Sequence, residues 1–220
     1  MSTQPVTKLT DQMMANILDI NFVRDHLEIR LVPKSQMEDY RKNNRCFLQL
    51  PHTDFGIGLA VRTSESMAIT VTNDYLLSLG LEFENLWQMW LQSDIDGIRC
   101  DSMDRVLASF FTPTDPFQPE PTEIPLYVCT YKEGSPGGGC ILHPQVQAHF
   151  LEIFPEGFYI LFSSVHESII VPQKGISPKV LQEMLRDLNS KPDIVSPNDV
   201  ASDFIYGVVK SCQLERMVFE

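Results

Sequence analysis

Residues 157–189, GFYILFSSVHESIIVPQKGISPKVLQEMLRDLN, decide the predicted fold. Two apolar runs, FYILF and SIIVP, flank the polar turn SSVHES and predict two neighbouring strands. A helix is predicted to follow, with Ser177 as its N-cap and Pro178 in its first turn. The side chains predicted to form its single apolar stripe are Val180, Leu181, Met184, Leu185 and Leu188.

The same turn carries the side-chain types of a catalytic centre. Ser163, Ser164, His166 and Glu167 lie within five residues. A Ser–His–acid triad is normally assembled from residues distant in sequence, because the three groups must face one another. The G-x-S-x-G motif of hydrolases is also missing. The favoured interpretation is a polar hairpin turn, and the catalytic alternative uses Ser164, His166 and Glu167.

A second pair of polar residues lies in PHTDF, between two predicted strands. His52 could act as a base that Asp54 orients. The simpler interpretation is a turn in which Asp54 bonds its own backbone. We therefore favour the turn here too, and keep both residues as catalytic candidates.

No motif predicts a cofactor or a metal. The glycines of GSPGGGC precede a predicted strand (140–143), whereas a phosphate loop leads into a helix, so a flexible hairpin is favoured. The four histidines that could ligate a metal lack the spacing of a zinc site, as do the cysteines. The five cysteines are predicted to be small buried hydrophobes of a protein from a reducing compartment.

Charge and hydropathy exclude several classes of partner. The net charge is −12, from 29 acidic and 17 basic residues, so direct binding of nucleic acid or of an anionic membrane is not expected. No apolar run approaches the roughly 18 residues of a membrane span, and the N-terminus lacks the pattern of a signal peptide. These observations predict a cytoplasmic protein.

The rest of the chain predicts more strands and short helices. Strands are expected at 26–32, 46–50, 55–63, 67–72 and 126–132, and at the C-terminus in FIYGVVK and LERMVFE. Helices are expected at 74–80, at 84–92, at 102–111 with Ser102 as N-cap, and at 144–154 with Pro144 at its start. Strands joined by short turns imply antiparallel sheets, and helices over one face of such a sheet give an α+β fold.

The predicted domain organisation is a flexible tail, residues 1–15, followed by one α+β domain, residues 16–220. That domain has two halves, 16–111 and 126–220, and each half contains a strand–strand–helix unit. Five prolines between 113 and 125 predict an extended connector, residues 112–125.

Several segments together resemble a bacterial family of unknown function. They are LPHTDFGIGLAV, ITVTNDYLLSLGL with ENLW after it, GGCILHP, and above all FYILFSSVHESIIVP with LQEMLRDLN. The family is catalogued as domain of unknown function number fifty-six eighty-eight, and is frequent in gut Gram-positive bacteria. The resemblance spans most of residues 16–206 and implies a bacterial, cytoplasmic α+β protein. It implies no activity or site residue.

Three functional hypotheses follow. The leading one is a non-catalytic cytoplasmic binding or interaction protein with a protein partner, which predicts an exposed apolar patch or an unpaired sheet edge. The second is a hydrolase-like enzyme that uses His166 or His52 in a pocket. The third is an acidic inhibitor of a nucleic-acid enzyme, which predicts carboxylates concentrated on one face. The oligomeric state is left open.

Overall fold

The computed structural model describes residues 11–109, 124–132, 134, 136–209 and 213–217. The α-helices are α1 Asp11–Leu18, α2 Ile20–Asp25, α3 Met37–Lys42, α4 Asn73–Leu79, α5 Phe83–Leu91, α6 Met103–Ala108, α7 Pro144–Ile153 and α8 Pro178–Asn189. The strands are β1 Leu27–Val32, β2 Phe47–Gln49, β3 Gly56–Ser64, β4 Met67–Thr70, β5 Ile98–Ser102, β6 Tyr127–Tyr131, β7 Phe158–Leu161, β8 Ser168–Pro172, β9 Ile205–Val209 and β10 Gln213–Arg216. Helices and antiparallel sheets confirm the α+β class.

The first sheet is built around β3, which pairs with β1 on one side and with β2 and β4 on the other. The predicted β3–β4 hairpin is confirmed. The two glycines of β3 have a packing reason. A side chain at Gly56 would lie 2.6 Å from the Phe47 ring, and one at Gly58 would press on Val32 and Tyr40.

The second sheet has the strand order β10-β9-β7-β8-β6-β5, and every pairing is antiparallel. Its central strand β7 is buried along its whole length. Phe158 and Ile160 point into the main core, whereas Tyr159 and Leu161 pack with α8. Helix α8 thus packs on the face of this sheet opposite the main core.

Helix α8 corrects the predicted stripe. Leu181 and Leu185 are buried against the sheet, but Val180 is 48% exposed and Met184 is 58% exposed. The apolar cluster beside β7 and β9 is small, and Leu181 and Leu185 from two turns of α8 cover it. Val180 and Met184 lie at the side of the predicted stripe and remain in contact with solvent. Ser177 occupies the N-cap position without a side-chain cap hydrogen bond.

The glycine loop is a packing junction and not a flexible hairpin. The amides of Gly137 and Gly138 donate to the carbonyls of His166 and Val165, at 2.8 and 3.0 Å. A side chain at Gly138 would lie 2.8 Å from the carbonyl oxygen of Ser164 and 3.0 Å from Leu31. The loop therefore joins the SSVHES turn to the first sheet.

The strand predicted at 140–143 is also wrong. Residues Cys140–Leu142 form one turn of 3₁₀ helix that leads directly into α7. The run is buried on all sides, and a short buried apolar run has no periodicity that separates strand from helix.

Sequence patterns missed one strand. β5 pairs with β6 and ends at Ser102, whose hydroxyl accepts a hydrogen bond from the Arg105 amide at 3.3 Å, as predicted for the N-cap of α6. The end of the helix predicted to reach residue 111 lies outside the described residues, as does most of the connector. Helix α1 covers residues 11–15, which the sequence assigned to the tail.

The main core contains side chains from both predicted halves, among them Ile29 and Leu59 from the first sheet and Ile160 and Tyr206 from the second. The division of the domain into halves joined by the connector stays a prediction. In the described part of the chain, no helix is both long enough and apolar enough to cross a membrane.

Two cysteines depart from the prediction that all are free. Cys100 and Cys129 lie directly opposite each other on β5 and β6, with Cα atoms 4.4 Å apart, and their sulfurs are joined as a disulfide. Cys46 and Cys140 are free and buried, and Cys212 lies outside the described residues. Sequence spacing cannot reveal such a pair, because the two residues are 29 apart and meet only through strand register.

This pairing predicts one cross-link in protein purified without reductant. Peptide mapping by mass spectrometry should recover the peptide containing Cys100 covalently attached to the peptide containing Cys129, and reductant should separate them. Cys46 and Cys140 should be alkylated without reduction once the chain is denatured. Alkylation of Cys100 in unreduced protein would contradict the pairing.

Candidate functional site

In the SSVHES turn, the backbone holds the Ser164 hydroxyl, whereas the buried Ser168 hydroxyl has no hydrogen-bond partner among the described residues. Ser163 and Ser164 are buried, and the Ser164 hydroxyl accepts a hydrogen bond from the backbone amide of His166 at 3.0 Å. The hydroxyl is thereby directed at the turn and not at the imidazole. Burial raises the pKa of Glu167, an effect that the nearby His166 partly opposes.

His166 has a carboxylate partner that its sequence neighbours do not supply. Its Nε2 lies 3.6 Å from Oδ2 of Asp199, and both side chains are partly exposed. Asp199 reaches the turn because its carbonyl accepts from the Val165 amide at 2.9 Å and Val200 bridges to Ser164. The structure thus pairs His166 with Asp199, while the sequence hypothesis paired it with Glu167.

The structure does not bring His52 and Asp54 together. His52 is exposed in a turn with φ +62°, a left-handed conformation. Oδ1 of Asp54 instead accepts hydrogen bonds from the Ser202 hydroxyl and the Tyr206 phenol, both at 2.6 Å. Burial and the Asp54 carboxylate raise the pKa of Tyr206, which keeps the phenol a donor. Asp54 therefore ties the first sheet to the second.

A charged network links β1 and β3 of the first sheet. Glu28 is 6% exposed, and one of its oxygens contacts Arg30 Nη2 at 2.5 Å while the other contacts Arg62 Nε. Arg62 reaches Glu28 because it lies two residues beyond Ala60, the register partner of Glu28. Arg30 also donates to the Pro136 carbonyl at 2.8 Å, so the network connects the sheet to the glycine loop.

This network borders a cleft of about 590 Å³ that we call the central cleft. It opens between the start of β1, the link from α5 to β5, and the end of β6. Its lining includes His26, Glu28, Arg62, Trp90, Asp94 and Asp96. Both predicted halves therefore contribute to its walls. Ligand sites in proteins are typically clefts of this size, and they favour junctions between structural units.

The polar groups of the central cleft are well oriented. The Nδ1–H of His26 donates to the Phe22 carbonyl at 2.8 Å, and the imidazole stacks on the Phe22 ring. In neutral His26 this leaves Nε2 as an acceptor. The Tyr131 hydroxyl accepts from the Ile29 amide at 2.8 Å, and burial raises the pKa of this phenol. These contacts fix the orientations of the His26 and Tyr131 side chains in the wall of the cleft.

Asp94 and Asp96 lie at the rim of the cleft and are exposed. Neither forms a hydrogen bond or an ion pair with another residue that the structure describes. Elsewhere in the described residues, no group of three or more His, Cys, Asp or Glu side chains could hold a metal ion. The rim carboxylates are therefore accessible to a ligand that enters the cleft.

Sequence analysis missed the residues of the central cleft. One signal was present: Glu28 and Arg30 alternate with Leu27, Ile29 and Leu31 in a predicted strand, which places opposite charges on one face. Asp94 and Asp96 carried no signal, since two acids in a loop usually mark a solvated turn. Only folding brings them opposite His26.

A family model of proteins of unknown function, DUF5688, matches residues 3–208 of this chain. The chain belongs to the DUF5688 family. This confirms the family resemblance read from the sequence motifs. Neither a curated protein nor a solved structure matches this DUF5688 chain. The motif GGCILHP that contributed to the resemblance contains the glycine junction, the 3₁₀ turn and His143.

His143 of this motif is a buried cap. Its Nε2–H donates to the Trp90 carbonyl at 3.1 Å, and its Nδ1 accepts from the Gln145 amide at 3.3 Å, which caps α7. Burial lowers the pKa of His143 below 6.5. The histidine is thus a structural contact between α5 and α7.

We expect His143→Ala to lower the free energy of unfolding by about 2 kcal/mol, because a cap and a buried hydrogen bond are lost. The wild type should also lose stability as pH falls below about 6.5, since the unfolded chain binds a proton that folded His143 resists. That component should vanish in the variant. Urea unfolding between pH 5 and pH 8 measures both effects.

His149→Ala is the matched control, because His149 lies on the same helix and is exposed. It should keep both the stability and the pH dependence of the wild type. An unchanged pH dependence in His143→Ala would show that another group causes the acid destabilisation.

Proposed function

We propose that this DUF5688 protein is a non-catalytic binding protein and that the central cleft is its ligand site. The observation that carries the proposal is the cleft itself, a cavity of about 590 Å³ with oriented polar groups and walls from both sheets. Both oxygens of Glu28 are engaged by guanidinium groups, which favours a fixed binding surface over proton transfer.

The charges of the cleft indicate the class of ligand. Four lining carboxylates, Asp25, Glu28, Asp94 and Asp96, face two lining guanidiniums, Arg24 and Arg62, so the formal charge is −2. Trp90 and Tyr131 border the cleft but are only 2 and 8% exposed, so the rim carboxylates are the main groups that a ligand can reach. Exposed carboxylates suit an organic cation, because such a ligand gains ion pairing with them. The proposed ligand is therefore a small organic amine.

The proposal also covers the source of the protein and its compartment. A bacterial source and a cytoplasmic location are what the motif resemblance implies. The disulfide between Cys100 and Cys129 argues against a reducing compartment. The peptide mapping described above can be repeated after free thiols are alkylated inside the producing cells. It would decide between a reducing and an oxidising compartment.

The test is a thermal-shift and calorimetric screen of the full chain. The probes are spermidine, putrescine, choline and arginine methyl ester at about 5 mM, with glycerol and succinate as neutral and anionic probes. A ligand that binds only the folded state raises the unfolding temperature. We expect at least one cationic probe to raise it and to give a calorimetric isotherm, while glycerol and succinate do neither.

Two double variants test whether the cationic probes bind in the central cleft. Asp94→Asn combined with Asp96→Asn should abolish the shift, because it removes the two unpartnered rim charges. Asp74→Asn combined with Asp193→Asn removes two exposed charges outside the cleft lining and should leave the shift intact. Equal shifts in both double variants, or no shift with any cation, would overturn the proposal.

The hydrolase-like alternative keeps one favourable observation, the His166–Asp199 pair. It requires a nucleophile beside the imidazole, and Ser164 and Ser168 each lie two residues from His166. The Ser164 hydroxyl is turned to the backbone, and the Ser168 hydroxyl is fully buried at the start of β8 with no described hydrogen bond to the imidazole. The binding proposal expects equal hydrolysis of p-nitrophenyl acetate by the wild type and by His166→Ala. A rate above the uncatalysed reaction that His166→Ala removes would favour the enzyme.

A further inference from the structure

A second concave surface lies on the opposite side of β3 from β1. We call it the arginine groove. It has a volume of about 770 Å³ and runs between the end of α3 with β2 and the helix pair α4–α5. Its lining includes Arg41, Arg45, Phe47, Leu76, Leu77 and Leu81. It shares no lining residue with the central cleft.

The groove exposes apolar side chains. Leu77 is 77% exposed, more than any other large hydrophobic side chain in the described part of the chain. Phe47, Leu81 and Phe83 beside it are only partly buried. Contiguous exposed apolar surface of this kind is characteristic of interaction sites, because its removal from water on binding is favourable.

The groove also differs in charge from the rest of the chain. Two lining arginines against one lining glutamate, Glu82, give a formal charge of +1 on a protein whose net charge is −12. The Arg41 guanidinium lies 5.0 Å from the centre of the Phe47 ring. That of Arg45 lies 5.4 Å from the centre of the Tyr40 ring and makes a long contact of 3.4 Å with the exposed Asp39 carboxylate, for which a ligand carboxylate would compete. A guanidinium held by an aromatic ring is well placed for bidentate contact with a carboxylate.

A free strand edge borders the same surface. β2 pairs with β3 on one side, and no described strand pairs with its outer side. Phe47 and Gln49 of this strand line the groove. An extended peptide can add to such an edge through main-chain hydrogen bonds, while neighbouring pockets receive its side chains.

From these observations we propose that the arginine groove docks a segment of a partner protein in which carboxylates flank a large apolar side chain. The apolar floor receives the apolar side chain, and Arg41 and Arg45 bind the carboxylates. A small ligand is less suited, because small-molecule sites bury most of the ligand and Leu77 forms an open wall. Nucleic acid is disfavoured by the charge of −12.

The experiment selects peptides from a random twelve-residue phage-display library on the immobilised full chain, and then measures the selected peptides by fluorescence anisotropy. We expect enrichment of sequences with at least two acidic residues beside a Leu, Ile, Phe or Trp. Their affinity should fall at least about tenfold in Arg41→Glu/Arg45→Glu and in Leu77→Glu. Arg41→Lys/Arg45→Lys should retain part of the affinity, because the charge remains and the bidentate geometry is lost.

Met184→Glu and Arg186→Glu are the matched controls, because both change exposed side chains of α8 that are outside the groove. Both should bind the selected peptides like the wild type, and circular dichroism should show that every variant is folded. Failure to enrich peptides, enrichment of basic peptides, or equal affinity in the charge-reversed variant would overturn the proposal. So would a self-association, seen by analytical ultracentrifugation, that the charge-reversed variant abolishes and no selected peptide inhibits.

Discussion

Glu28→Ala should lower the free energy of unfolding by about 3–5 kcal/mol, because it leaves two buried guanidinium groups without their carboxylate. The side chains of Glu28, Arg30 and Arg62 are 7, 13 and 12% exposed, so water can replace the lost contacts only in part. Loss of the carboxylate also weakens the hold on Arg30, which donates to the Pro136 carbonyl next to the glycine loop. Urea unfolding followed by circular dichroism measures the change.

Glu38→Ala is the control for this prediction. Glu38 pairs with Lys42 at 2.8 Å, but the two side chains are 78 and 70% exposed, so removal of this pair should cost at most about 0.5 kcal/mol. A loss below about 1 kcal/mol in Glu28→Ala would mean that solvent reaches the arginines and that the network contributes little.

Gly138→Ala should cost about 3 kcal/mol, because the added methyl group would meet backbone as well as side chain. It would lie 2.8 Å from the Ser164 carbonyl oxygen, 3.0 Å from that of Val165 and 3.0 Å from Leu31. Two of these three atoms belong to the backbone of a buried turn and cannot rotate away. The first sheet and the SSVHES turn must therefore separate, which weakens the contact between the two sheets.

Gly97→Ala provides the comparison, since a side chain there meets nothing within 4 Å. It should change the stability by less than about 0.5 kcal/mol. Thermal and urea unfolding of both variants give the difference. If Gly138→Ala were as stable as Gly97→Ala, the junction would be more adaptable than its contacts indicate.

Local patterns were sufficient where the side chains that determine an element lie within it. The apolar runs FYILF and SIIVP on either side of a polar turn predicted β7 and β8, and the structure pairs them as antiparallel neighbours. The Ser102 cap and the prolines at the starts of α7 and α8 were also found as predicted. In each case the signal is a contact within one turn or one strand, so it does not depend on the rest of the fold.

Errors arose where burial comes from distant residues. Cys140–Leu142 is apolar because it packs under both sheets, and this hides whether it is strand or helix. β5 is an edge strand in which Ile98 and Cys100 alternate with Arg99 and Asp101, and an alternation of only four residues is too short to stand out. In α8 the sequence predicted too much burial. An apolar helix face does not reveal how much of it another element will cover, and part of this face is exposed.

The candidate site shows the same difference between local sequence patterns and long-range contacts. Sequence neighbours suggested His166 with Glu167 and His52 with Asp54. The structure pairs His166 with Asp199 and connects Asp54 to Ser202 and Tyr206. These partners are 33 to 152 residues away, so no local pattern could have identified them.

By itself, the sequence determined the α+β class, most of the strands and helices, the family and the acidic charge of this protein. These follow from side-chain periodicity, capping residues and composition, which act over a few residues or over the whole chain. The tertiary structure alone decided that Glu28 meets Arg62, that Asp94 and Asp96 stand opposite His26, and that Arg41 and Arg45 flank an open apolar groove. Those arrangements depend on strand register and on packing between elements, and both are set only when the whole core forms.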